Sequence, residues 1–292
     1  MNLGVPLGLS SGLCWGAADF FGGMQSRRLP ALTVAFWSQA AGALALAVAL
    51  ALASALAVGG ARPTLTGVAW GLAAGVGSGC ALVLFYRSLA EGTMSVVAPI
   101  SACGAIVPVG AALVAGDQPG AVAGVGVLAA ITGVVLVSRA HPTGRAAEGG
   151  GRSRGVLAMA LGSALGFGLF YVFVDAGTAG SHGEPLWVIA GARASSLLML
   201  STIALVGRRS ALRWPGPRIG PVALVGIADT GANLLFAYAA TAGNLAVVGV
   251  LGSLYPVATV ILARWLLGER LSRGQSAGVA LALTGVGLLA AA

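Results

Sequence analysis

Ser138-Arg139-Ala140-His141-Pro142-Thr143-Gly144-Arg145-Ala146-Ala147-Glu148, running on through glycines 149–151 to Arg154, is the longest polar stretch of the chain. Its small, polar and proline-bearing composition is that of a flexible linker. Working outward, apolar runs precede it at 4–24, 31–58, 66–89, 94–115 and 120–138, and follow it at 154–176, 185–206, 218–242, 245–267 and 273–291. Crossing a bilayer takes roughly 20 mainly apolar residues per helix, and these runs supply that length repeatedly. With 58% hydrophobic residues, 8% charged residues and a mean hydropathy of +0.94, the chain is too apolar and too sparsely charged for a water-facing surface. The expected fold is an all-α membrane protein of ten transmembrane helices, arranged as two inverted five-helix repeats around a central cavity. The first repeat is expected over 1–140, the linker over 141–153 and the second repeat over 154–292. An odd number of helices per half turns the second half upside down relative to the first.

The net charge of +8 comes from sixteen basic residues, all of them Arg. They stand in short clusters between apolar runs, with no basic face interleaved with aromatics, so a nucleic-acid partner is not expected. Arg27, Arg28, Arg87, the linker, the Arg208 to Arg218 loop, Arg270 and Arg273 all fall at one end of the expected bundle; Arg62 stands alone at the other. Counted by the positive-inside rule, this puts both termini outside the cell. Cys14, Cys80 and Cys103 lie in apolar segments and suggest packing, with neither a disulfide framework nor a metal site. No cofactor is expected. The two histidines, His141 and His182, lie in loops, so an intramembrane hydrolase lacks its base. Lys is absent, so there is no phosphate-binding loop of the ATPase type. The chain is read as a non-enzyme. The apolar segment after Met1 has no basic leader and is read as a permanent helix.

The halves resemble one another weakly, as in a duplicated chain. Gly12 and Gly16 align with Gly162 and Gly166, Tyr86 with Tyr238, and Gly126, Thr132 and Gly133 with Gly278, Thr284 and Gly285. Small residues at four-residue spacing (Gly71, Gly75 and Gly79; Gly120 and Gly124; Gly274 and Gly278) are read as surfaces for close helix packing. Pro99, Pro108 and Pro256 are candidate kinks and gating points, because proline removes a helix hydrogen bond and exposes carbonyls to a cavity.

The tail Pro256-Val257-Ala258-Thr259-Val260-Ile261-Leu262-Ala263-Arg264-Trp265-Leu266-Leu267-Gly268-Glu269-Arg270-Leu271-Ser272, with Gly278 and Gly285 beyond it, resembles the closing signature of EamA-type transporters of the drug/metabolite transporter superfamily. The opening Trp15-Gly16-Ala17-Ala18-Asp19-Phe20-Phe21-Gly22-Gly23 is similar to that family's first helix. The resemblance implies a secondary transporter that moves a small metabolite or drug-like solute across the cytoplasmic membrane by alternating access. Export is the first reading; an uptake carrier, or a non-transporting scaffold or sensor, is the alternative. It also implies cytoplasmic termini, against the Arg count. Where the second half has Gly268-Glu269-Arg270, the first has Gly116-Asp117-Gln118. Arg193 fits a position where the family often carries Arg in the second helix of each half, and its counterpart is Gln39.

Ionised side chains within a bilayer cost about 2.5–3.5 kcal/mol each on insertion scales and usually face a cavity or a partner. Asp19, Arg193 and Asp229 are the three candidates, and Arg193 with Asp229 forms an expected ion pair that serves as structural lock or substrate anchor. A carboxyl group in a low-dielectric site favours its protonated form, which makes Asp19 the candidate proton carrier; the competing reading is a helix-end charge solvated at the interface near Arg27 and Arg28. The related small multidrug resistance proteins use a first-helix carboxylate in this way. Trp15 shares a helix face with Asp19, and Asn233 with Asp229. With Trp37, Gln39, Phe170, Tyr171, Phe236 and Tyr238 they are the expected walls of a central pocket. The expected partners are a small-molecule substrate, the lipid bilayer and protons, with the chain a monomer or homodimer.

Overall fold

The computed structural model describes residues 3–55, 63–116, 120–139, 150–181, 185–207, 213–242, 251–252 and 254–291. Most of the linker, Asp117, Gln118, His182 and the first part of the ninth expected span lie outside the described residues. The helices are α1 (Gly4–Ser26), α2 (Ala31–Ala55), α3 (Leu65–Glu91), α4 (Met94–Ala102), α5 (Ile106–Val114), α6 (Ala121–Arg139), α7 (Gly150–Ala179), α8 (Pro185–Val206), α9 (Ile219–Ala242), α10 (Tyr255–Leu267) and α11 (Arg273–Ala291). Among the described residues seven helical stretches, one of them running through α4 and α5, are long and apolar enough to cross a membrane; α6 and α10 are apolar but shorter. Helix α7 begins at Gly150, so it takes in the end of the expected linker.

The prolines act as segment starters more than as bends. Between α4 and α5 the chain tightens into a 3-10 turn, Cys103–Ala105. Pro108, the third residue of α5, has no N–H to give the Gly104 carbonyl, which explains the break at that point. Pro256 stands in the first turn of α10, where a missing N–H costs no helical bond. Of the three, Pro99 alone lies beyond the first turn of its helix, and the Cys103 thiol donates to its carbonyl at 3.3 Å.

Helices of the first half pack mainly on helices of the second: α3 on α7 and α8, α1 on α9 and α10, α2 on α9 and α8, α4 on α7 and α10, and α6 on α11. Exchanging the halves maps this set of pairings onto itself. The seam between α6 and α11 shows the exchange at atomic scale. A Cβ on Gly126 would come within 3.0 Å of the Gly285 carbonyl oxygen, and one on Gly133 within 2.7 Å of the Gly278 carbonyl. Those are the glycines that sequence comparison aligned, crossed over: Gly126 meets the counterpart of Gly133, and Gly133 meets the counterpart of Gly126. Other alignments have unlike surroundings: Tyr86 is buried at 2% exposure while Tyr238 is 64% exposed. Gly16 meets α10, whereas Gly166 meets α3.

Small residues permit close approach of backbones, which in lipid is a main source of helix association. Gly71 and Gly75 do this on α3, where added Cβ atoms would sit 2.3 Å from the Val188 carbonyl and 2.0 Å from that of Ala192. Gly120 and Gly124, expected to pack likewise, have nothing within 4 Å of an added Cβ among the described residues. That pair faces away from the bundle, and the contact face of α6 is the one carrying Gly126 and Gly133.

Candidate functional site

Helices from both halves enclose a cavity of about 110 Å³, lined by residues of α1, α2, α3, α7, α8, α9 and α10. Its charge comes from α1, α8 and α9. Arg193 on α8 is 8% exposed, which demands that its guanidinium be satisfied within the protein. One terminal nitrogen donates to Gln39 Oε1 on α2 at 2.5 Å, and the other to Asp229 Oδ2 on α9, also at 2.5 Å. The Arg193 fork therefore ties three helices together, and one of its partners, Gln39, is the first-half residue aligned with it. Arg suits this position because its planar fork reaches two partners at once. Asn233, one turn beyond Asp229, lines the same cavity and its side-chain amide donates to the Asp229 backbone carbonyl at 2.7 Å.

Asp19 lines the cavity one turn after Trp15. Among the described residues its carboxylate has no hydrogen bond or ion pair. Trp15 packs tilted on Phe236, with ring centroids 5.5 Å apart, and edge-on to Tyr255 at 6.4 Å. Phe170 and Tyr171, adjacent on α7, complete the aromatic wall.

Of the residues picked out from sequence, Trp15, Asp19, Gln39, Phe170, Tyr171, Arg193, Asp229 and Asn233 come together around this cavity. Phe236 packs on Trp15 without being part of the lining, and Trp37 and Tyr238 lie elsewhere. The Trp37 indole N–H donates to the Arg213 carbonyl at 3.2 Å and its ring meets Trp214 edge-on at 4.9 Å, so it anchors a loop at the end of the bundle. Tyr238, nine residues past Asp229 on the same helix, is exposed beyond the cavity. Ser78, Leu82, Phe167, Ile189, Ala192, Ser196 and Tyr255 also line it and were not anticipated. Helical spacing held the signal for several: Ile189 and Ser196 stand four before and three after Arg193, and Phe167 stands four before Tyr171.

A second polar cluster closes one end of the bundle. Gly268, in the left-handed conformation at φ +63°, ends α10 and turns Glu269 back toward the start of α4. Glu269 Oε1 accepts from the Met94 N–H at 3.0 Å; Oε2 accepts from the Ser95 N–H at 2.9 Å and the Ser95 hydroxyl at 2.8 Å. Arg27, at the end of α1, stands 3.5 Å away. A carboxylate from the second half thus satisfies two free amides at the N-terminus of a first-half helix, where the helix dipole also favours negative charge. The sequence marks Gly268-Glu269-Arg270 as a signature; only the fold shows what Glu269 touches.

Fold and cavity together define a multi-pass helical membrane protein with a charged internal site. The model of the EamA-like transporter family matches residues 2–139 and again 154–291, and the chain belongs to that family. A solved crystal structure, described simply as that of a protein, is similar with a TM-score of 0.63 at 16% identity, over 98% of this chain and 95% of that one, a likeness of fold alone. Comparison with curated proteins returns no match.

Proposed function

We propose that this protein is a secondary transporter that exports a small solute across the cell membrane by alternating access. The carrying observation is the convergence of Asp19, Arg193 and Asp229 on one cavity walled by helices of both halves. At roughly 2.5–3.5 kcal/mol per intramembrane charge, a lock between two helices would justify one ion pair; it gives no reason for the third charge. In this reading the chain crosses the bilayer ten times, as a repeat over 1–140 and an inverted repeat over 154–292 joined by the linker. The shared cavity opens to each face in turn, and Asp19 carries the coupling proton. The symmetric exchange of helix pairings supports it, because related halves can trade conformations at equal cost.

The test is counterflow in vesicles containing the purified chain, over amines, amino acids and nucleosides, with and without a pH gradient. Solute is expected to move, faster with the gradient, and Asp19→Asn is expected to remove the gradient's effect. Equal rates in empty vesicles would overturn the transporter, and an undiminished gradient effect in Asp19→Asn would overturn proton coupling through that residue.

A further inference from the structure

We infer that the cavity takes a small organic monocation of the alkylammonium class; this rests on the transporter reading and adds the chemistry of what is bound. Its charges sum to −1 when all three are ionised. Within the ion pair the exposure is unequal: the Asp229 side chain is 31% exposed against 9% for Arg193. The buried guanidinium donates to Gln39 and Asp229, and its charge is already balanced by Asp229. An anionic ligand in the cavity would meet the like charges of Asp19 and Asp229. A cation meets two carboxylates directly, Asp19 and Asp229, and Asp19 has no partner among the described residues.

The walls fit the same ligand. Trp15, Phe170, Tyr171 and Tyr255 line the cavity from three helices, and aromatic faces attract a cation within about 6 Å of the ring centre, more strongly once water is excluded. Size narrows the class further. At about 110 Å³ the cavity is smaller than a cavity of roughly 150 Å³ that holds benzene, and well below the roughly 300–1,000 Å³ of drug-sized pockets. In this conformation it admits a chain of a few carbons bearing one ammonium group.

The test is calorimetric titration of the full chain in lipid nanodiscs with n-butylammonium chloride and, separately, sodium butyrate. Butylammonium is expected to bind and butyrate not. Asp19→Asn is expected to weaken butylammonium by about thirty-fold or more, the lower range for removing one partner of a desolvated charge pair. Asp19→Glu, which keeps the charge, is expected to retain most of the affinity, and this separates lost charge from a damaged fold. Butyrate binding as well as butylammonium, or Asp19→Asn binding like the unmodified chain, would overturn the inference. Counterflow separates the two levels: cation binding without movement refutes the transporter and leaves the site, while movement of anions alone refutes the site and leaves the transporter.

Discussion

Replacing Glu269 tests whether the two halves are held together by a single side chain at one end of the bundle. Its carboxylate accepts three hydrogen bonds from Met94 and Ser95 and is only 11% exposed, whereas Arg27 is 3.5 Å away and 34% exposed. Hydrogen bonds to a charged group contribute about 1.5–3 kcal/mol each, but they share one carboxylate and are not additive. Removing an N-cap acceptor costs about 0.5–2 kcal/mol. Glu269→Ala, which leaves two part-buried amides and a hydroxyl without their acceptor, is therefore expected to cost roughly 3 kcal/mol. Glu269→Gln keeps one acceptor oxygen but turns an NH₂ toward a backbone N–H, and is expected to cost about 2 kcal/mol. Ser95→Ala removes only the hydroxyl bond, for about 1 kcal/mol, and Arg27→Ala, at a screened and longer contact, should cost under about 0.5 kcal/mol. Reversible unfolding in mixed micelles reads these differences. The order Glu269→Ala, Glu269→Gln, Ser95→Ala, Arg27→Ala is the prediction, and an Arg27→Ala loss equal to that of Glu269→Ala would refute it by showing that the ion pair, not the helix cap, carries the contact.

Arg193→Met strands the Asp229 carboxylate, and breaking a buried pair costs about 3–5 kcal/mol; the partial exposure of Asp229 puts the expected loss at the lower end, with Asp229→Asn milder, both read by the same unfolding assay. Gly75→Ala drives a methyl to 2.0 Å from the Ala192 carbonyl and is expected to cost about 1–3 kcal/mol or more. Gly124→Ala meets nothing among the described residues and is expected to be neutral or to stabilise by up to about 1 kcal/mol; a loss there would refute that reading. Trp37→Phe gives up the bond to the Arg213 carbonyl without touching the cavity, so counterflow should keep its KM, whereas Trp15→Ala should raise it.

The helices were legible because lipid imposes one rule on every residue of a span, and an apolar run between polar breaks records it. The charged part of the site was legible for the same reason: Asp19, Arg193 and Asp229 stand out against an apolar background where each is costly. Aromatic residues carry no such mark. Trp37, Tyr171, Tyr238 and Tyr255 look alike in sequence, and whether each meets a cavity, a loop or the outside depends on helix rotation. Glycine spacing fails similarly. The run of Gly71 and Gly75 and the pair Gly120 and Gly124 read the same, yet only the first meets another backbone. The reach of Glu269 to α4 was hidden because its partners, Met94 and Ser95, lie some 175 positions away along the chain.

The glycine seam between α6 and α11 also constrains motion. Because main chain there meshes with main chain at Gly126 with Gly285 and at Gly133 with Gly278, sliding one rod past the other by a turn would bring bulkier side chains against a gap sized for hydrogen atoms. The two rods form a single strut, and under the proposed transport cycle the rocking that opens the interior to one side and then the other falls to the remaining helices.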